Sequence, residues 1–319
     1  MSKYVDILKY LINEYIVKRI HQTHCYDYPS VNNGWIKYYD NPVIGQNLTY
    51  SVFDPYVYRC GNGVLHMLVS ERNHHSIVIL ESKDGVKWHN EITAIAGIKG
   101  TWEEKVNRGC VITLDDTEYL WYTGQIGQHS AIGLARRRKG SNDRFTRVQD
   151  NPVLEPGLTH EGLSAMNPCV LWDDSRLCFR MWYAAGETYE PDVICYAESS
   201  DGCNWKKNPV PVLKKYPEHK WESAKVGGCH VVRQSDGTFI MYYIGYQNVD
   251  VARICYATSK DGIIWNRDEN NLLVSPSKGM WDADAVYKPT VMSINSKIHL
   301  WYNGRKGNKE SIGLAILER

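Results

Sequence analysis

Short apolar runs recur along this chain at a nearly fixed interval, with polar turns between them. The clearest runs carry a paired-aromatic motif: Trp121-Tyr122-Thr123-Gly124, Trp182-Tyr183-Ala184-Ala185-Gly186, Tyr242-Tyr243-Ile244-Gly245 and Trp301-Tyr302-Asn303-Gly304. They begin at 121, 182, 242 and 301, in steps of 61, 60 and 59. A second run follows each: Ile132-Gly133-Leu134-Ala135, Ile194-Cys195-Tyr196-Ala197, Ile254-Cys255-Tyr256-Ala257 and Ile312-Gly313-Leu314-Ala315. Ser-x-Asp-Gly turns followed by Trp88, Trp205 and Trp265 share the period. Runs of this length, rich in aromatic and β-branched residues and bounded by turn residues, predict β-strands, and a fixed period predicts a repeat architecture. Four strands per unit and five units are predicted, the first lacking the Trp-Tyr signature and built around His66-Met67-Leu68-Val69-Ser70.

The two ends of the chain complete the pattern. Asn33-Gly34-Trp35-Ile36-Lys37 reads as the tail of a repeat, and the last repeat, ending after Ala315, lacks its tail. The fold class expected is all-β, a five-bladed β-propeller over residues 34–319 closed by an N-terminal strand, since closure removes exposed sheet edges. Before it, residues 1–33 are expected to form a helical extension. Val5, Leu8, Leu11, Ile12, Tyr15, Ile16 and Ile20 fall at amphipathic helical spacing, so an N-terminal helix packs on the main domain or forms a homodimer contact.

Composition narrows the function classes. Lys plus Arg number 37 and Asp plus Glu 36, a net charge of +1, which argues against a nucleic-acid or membrane surface. No apolar run is long enough for a transmembrane span, and the N-terminal stretch lacks signal-peptide features. Of nine cysteines, several are repeat-equivalent: Cys195 with Cys255, and Cys110 with Cys169 and Cys229. That pattern reads as buried packing in a reducing cytoplasm; a metal site is disfavoured because no CxxC or His pair accompanies it.

Candidate chemistry lies where repeats differ. Aligning the first strand of each unit puts Asp54, Arg108, Asn167, Gly227 and Lys288 at one position, while the flanking residues repeat. His230 and Tyr287 lie on the same strands. Such strands line a propeller's central channel, so this ring is the expected pocket floor. A second set of acids precedes each strand: Glu103, Glu222 and Asp282 follow a Trp and read as structural, whereas Glu161, in His160-Glu161-Gly162, lacks it and reads as functional.

The module resembles the five-bladed propeller glycosidases: glycoside hydrolase families 32, 43 and 68, with the mannoside phosphorylases of family 130 as a related group. It carries Lys288-Pro289-x-Val291, Trp-Tyr-x-Gly, Ile-Gly-x-Ala and Ser-x-Asp-Gly-x-x-Trp. The resemblance implies an inner-strand Asp of the first blade as base or nucleophile, matched by Asp54 in Phe53-Asp54-Pro55. It also implies a second-blade Asp and a third-blade Glu, where this chain has Arg108 and Asn167. The expectation is then a glycosidase acting on a small oligosaccharide, with Asp54 as base, Glu161 as acid and Asp284 in reserve, because glycoside cleavage needs two carboxyls. Arg108, Asn167, Lys288, Arg72, His230 and Tyr287 are expected to bind substrate. The cations among them equally suit a phosphorylase or an acidic sugar. A transglycosylase and a non-catalytic carbohydrate-binding propeller stay open. No cofactor is expected, though a structural cation in the channel is allowed.

Overall fold

The apolar runs pair into antiparallel meanders. The structure, a computed structural model, describes residues 25–45, 51–60, 63–187, 191–248 and 250–318. Strand β1 (Trp35–Lys37) comes first. The first unit contains β2 (Val52–Arg59), β3 (Leu65–Glu71), β4 (Ser76–Ser82) and β5 (His89–Ala96). The second contains β6 (Lys105–Leu114), β7 (Thr117–Ile126), β8 (His129–Arg138) and β9 (Thr146–Arg147). The third contains β10 (Ser164–Asp173), β11 (Cys178–Gly186), β12 (Val193–Ser199) and β13 (Lys206–Lys207). The fourth contains β14 (Lys225–Arg233), β15 (Phe239–Tyr246), β16 (Ala252–Ser259) and β17 (Leu272–Val274). The last contains β18 (Ala285–Ile294), β19 (Lys297–Lys306) and β20 (Lys309–Glu318). Its fourth strand is β1, with Trp35 opposite Leu317 and Lys37 opposite Ala315.

The helix expected over residues 3–23, and the dimer contact through it, lie outside the described residues. Residues 25–33 are not separate from the strand domain: Val31 bridges Val274, and Asn32 N–H donates to Leu273 O at 2.9 Å. Among the described residues the only helical turns are Thr159–Glu161 and Lys220–Glu222, both of 3-10 type.

Successive units are stapled by the residues that form the repeat. Strands β2, β6, β10, β14 and β18 form no ladder from one unit to the next, apart from one bridge joining β8 to β10, so their facing N–H groups need side-chain acceptors. Val170 N–H donates to Cys110 Sγ (3.2 Å), Val231 N–H to Cys169 Sγ (3.2 Å) and Val291 N–H to His230 Nδ1 (3.1 Å). Val57 N–H donates to Thr290 Oγ1 (3.2 Å), and Tyr56 O–H donates to Val111 O (3.2 Å). These bonds link all five units and return to the first. Cys110 and Cys169 therefore recur as acceptors as well as packing residues.

The Trp-Tyr motif has two separate duties. Indole N–H groups of Trp121, Trp182 and Trp301 donate to Gly202 O, Gly262 O and Gly85 O, each in the Ser-x-Asp-Gly turn of the following unit. The glycines of Trp-Tyr-x-Gly are dictated by the loop Trp: a Cβ on Gly124 would lie 2.2 Å from the Trp102 ring, and on Gly304 2.3 Å from Trp281.

Lys37 ties the N-terminal strand in place. Its ammonium donates to Asp282 (2.6 Å), Ser275 O (2.7 Å) and Ser277 Oγ (2.7 Å). Breaking a buried pair from one side leaves an uncompensated charge, here on Asp282, which is 1% exposed. Lys37→Ala is expected to cost about 3 kcal/mol in urea denaturation; an unchanged midpoint would show that β1 does not hold the closure.

Candidate active site

The ring position is a β-bulge in every unit. Inner-strand register slips between Phe53 and Tyr56, Asn107 and Cys110, Met166 and Cys169, Gly227 and Cys229, and Tyr287 and Thr290. Four bulge residues take left-handed backbone: Asp54 (φ 59°), Arg108 (43°), Asn167 (55°) and Lys288 (51°). Asp and Asn tolerate this region, whereas Arg and Lys adopt it at a cost, and such bulges re-aim side chains at functional sites.

Above the ring lies a cavity of about 890 Å³. Asn167, Lys288, Arg72 and Tyr287 line it. Asp54 lies just beneath, fully buried, with Lys288 Nζ 2.6 Å from its Oδ1. Lys288 is 18% exposed, so its ammonium covers the carboxylate from the cavity side. Ser70 Oγ approaches Asp54 Oδ2 at 3.5 Å, the outer limit for a hydrogen bond.

Arg108 and His230 are not in the cavity wall. The Arg108 guanidinium crosses the channel below and donates from Nη2 to Cys229 O (3.2 Å) and Pro289 O (3.3 Å). His230 is one of the interunit acceptors, and burial, then Arg108, pushes its pKa down to about 3, so the ring is neutral and accepts at Nδ1. Asp284 also lies outside the wall and accepts Gly307 N–H at 2.6 Å in the loop between β19 and β20.

Glu161 requires the main correction. Its Oε2 accepts Gly157 N–H (2.6 Å), Leu158 N–H (2.7 Å) and Lys207 Nζ (2.7 Å), and its Oε1 accepts Tyr183 O–H. It does not line the cavity. Burial raises its pKa, but Lys207, Tyr183 and the two backbone donors outweigh that and hold it below the ordinary value. The same cluster of acid, strand-two Tyr and a cation on or just before the unit's fourth strand recurs as Glu103–Tyr122–Arg147, Glu222–Tyr243–Arg267 and Asp282–Tyr302–Lys37. The missing Trp before Glu161 marks a different loop, not a different set of partners. A sequence signal was available: aromatic-x-cation recurs as Trp35-x-Lys37, Phe145-x-Arg147, Trp205-x-Lys207 and Trp265-x-Arg267.

His160, Glu161 and Cys195 bring ligand atoms within 4.8 Å of one another. They do not suit a metal, because Lys207 already sits on the carboxylate and burial pushes the Cys195 thiol up to about 12.

The cavity holds charged residues that the repeat alignment missed. Lys105, Lys225 and Arg305 join Arg72 and Lys288, against Glu71, Asp250 and Glu310. Glu310 is held by Arg72 and Tyr287 O–H. Glu71 Oε2 accepts from His74 (2.7 Å) and Ser76 (3.2 Å), while its Oε1 has no partner. Glu71 and Arg305 lie at the ends of strand two of their units, as its last and next-to-last residues, a second place where repeats differ in charge.

Comparison with known proteins agrees with this architecture. The model of the glycosyl hydrolases family 32 N-terminal domain matches residues 78–227. An uncharacterized Mycobacterium tuberculosis protein is 28% identical over 234 residues, 70% of this chain and 75% of that one. A 1,2-beta-oligomannan phosphorylase of Thermoanaerobacter is 30% identical over 146 residues, 42% of this chain and 47% of that one. A thermostable family-43 glycoside hydrolase superposes with a TM-score of 0.70 at 20% identity, over 87% of this chain and 92% of that one. The chain thus has the propeller fold seen in these glycosidases, and the family 32 match runs from β4 into β14.

Proposed function

We propose that this protein is a five-bladed propeller enzyme that cleaves a glycosidic bond with phosphate as the attacking group. The carrying observation is the charge of the cavity wall: five cations against three carboxylates, with Arg72 paired to Glu310 and Lys288 to Asp54 beneath the wall. Hydrolysis by the usual route needs two available carboxyls, one to activate water; phosphorolysis needs one acid and a site for a dianion. Asp54 is the acid. Lys288, drawn toward phosphate, uncovers it. Asp54, released from Lys288, takes a proton from solvent; a phosphate oxygen then bonds to the anomeric carbon as the glycosidic C–O bond breaks, the Asp54 proton passes to the leaving oxygen, and the proton of the attacking hydrogen phosphate is released to solvent. Similarity to an oligomannan phosphorylase over part of the chain supports this reading.

A second reading rests on Glu71, whose Oε1 faces no partner in the cavity wall. With Asp54 it would form the carboxyl pair of a hydrolase. One assay separates the two: incubate the full chain with a panel of neutral and acidic oligosaccharides, with and without phosphate. Phosphate-dependent release of a sugar 1-phosphate is expected. Equal turnover without phosphate selects hydrolysis, and sugar binding with no turnover in either arm leaves a binding propeller.

A further inference from the structure

The sequence allows a structural cation in the central channel, and the structure puts the Arg108 guanidinium among inner-strand carbonyls. Its side chain starts on β6 and reaches backbone carbonyls of β14 and β18, joining three units through one guanidinium. It is 1% exposed. Inner-strand carbonyl oxygens are the ligands a hard cation would use. Two of them, Cys229 O and Pro289 O, already accept from Arg108 Nη2.

The channel offers a cation little else. The one ring carboxylate, Asp54, is paired with Lys288. His230 beside Arg108 stays neutral, and its Nδ1 is taken by Val291 N–H. Arg108 Nε and Nη1 lack protein partners, and more positive charge would worsen their position. A unit charge about 4 Å from the guanidinium would bind roughly a thousandfold more weakly at an effective dielectric constant near 20.

We infer that Arg108 is a built-in channel cation, and that this chain holds its units together there without a metal ion. The inference is independent of the proposed reaction.

The test uses the purified full chain. Elemental analysis after dialysis against metal-free buffer should find no stoichiometric divalent ion. EDTA or millimolar calcium should move the wild-type Tm by less than about 1 °C, since a ligand stabilises only what it binds. Arg108→Ala should lower Tm by about 5 °C or more, and calcium should restore part of that loss by binding the bared carbonyls. A tightly held ion whose removal lowers the wild-type Tm would overturn the inference. So would a folded Arg108→Ala chain that calcium does not stabilise. Should Arg108→Ala not fold, the wild-type metal analysis and EDTA response decide alone.

Discussion

Asp54→Asn is expected to lower kcat about a thousandfold while leaving the fold intact. Removing a positioned acid typically costs two to four orders of magnitude. Asn is the informative replacement because it keeps the shape, leaves a polar oxygen beside Lys288 Nζ, and tolerates the left-handed backbone at φ 59°. Both changes remove the counter-charge of Lys288, and Ala would also remove the polar oxygen beside its ammonium. The measurement is turnover of whichever oligosaccharide proves active, beside thermal unfolding of the same sample. Activity within tenfold of wild type at unchanged Tm would remove Asp54 from the chemistry.

Glu161→Gln should do the opposite. Its carboxylate accepts from two backbone N–H groups, a tyrosine hydroxyl and an ammonium, all at a fully buried site. A Gln amide must point donors at some of these donors, and the loss is expected to be about 3 kcal/mol. Turnover per folded molecule should stay within about threefold, because nothing at Glu161 reaches the cavity. The pH dependence follows from the same contacts. The folded pKa lies below its ordinary value, so the stabilisation is present above the unfolded pKa of about 4.3 and is lost as pH falls through the folded one. Urea midpoints should therefore drop less steeply below about pH 4 in Glu161→Gln than in wild type. A variant of normal stability with turnover down a hundredfold would restore Glu161 as the acid.

Glu161 also shows where reading from sequence alone is weak. Its loop differs from the others by lacking a Trp, and a departure within a repeat looks like function. The structure places beside it Tyr183, 22 residues on, and Lys207, 46 residues on, the same partners that the other loop acids have. The Trp and the acid are separable duties: Trp102 and Trp281 cover strand glycines, while the acid gathers the tyrosine and the cation. Arg108 is the converse case. Its ring position was evident, but a long side chain at a bulge can rise into the cavity or drop into the channel, and only its partners on β14 and β18 decide which.

What the sequence determined by itself was everything that repeats: the strands, their turns, the closure of the last unit by Trp35–Lys37, and the ring of unlike residues at one register. These follow from local pattern, because alternation, turn chemistry and spacing act over a few residues and recur in each unit. The tertiary structure alone decided which unlike residues meet. Asp54 and Lys288 are 234 positions apart and 2.6 Å from each other because the first and last units adjoin, and no local pattern carries that. The cavity's charge likewise came from strand ends brought together by closure, where Arg72, Lys225 and Arg305 face one opening. A short-range code specifies the units, and the encounters between their differing side chains exist only once all of them have packed.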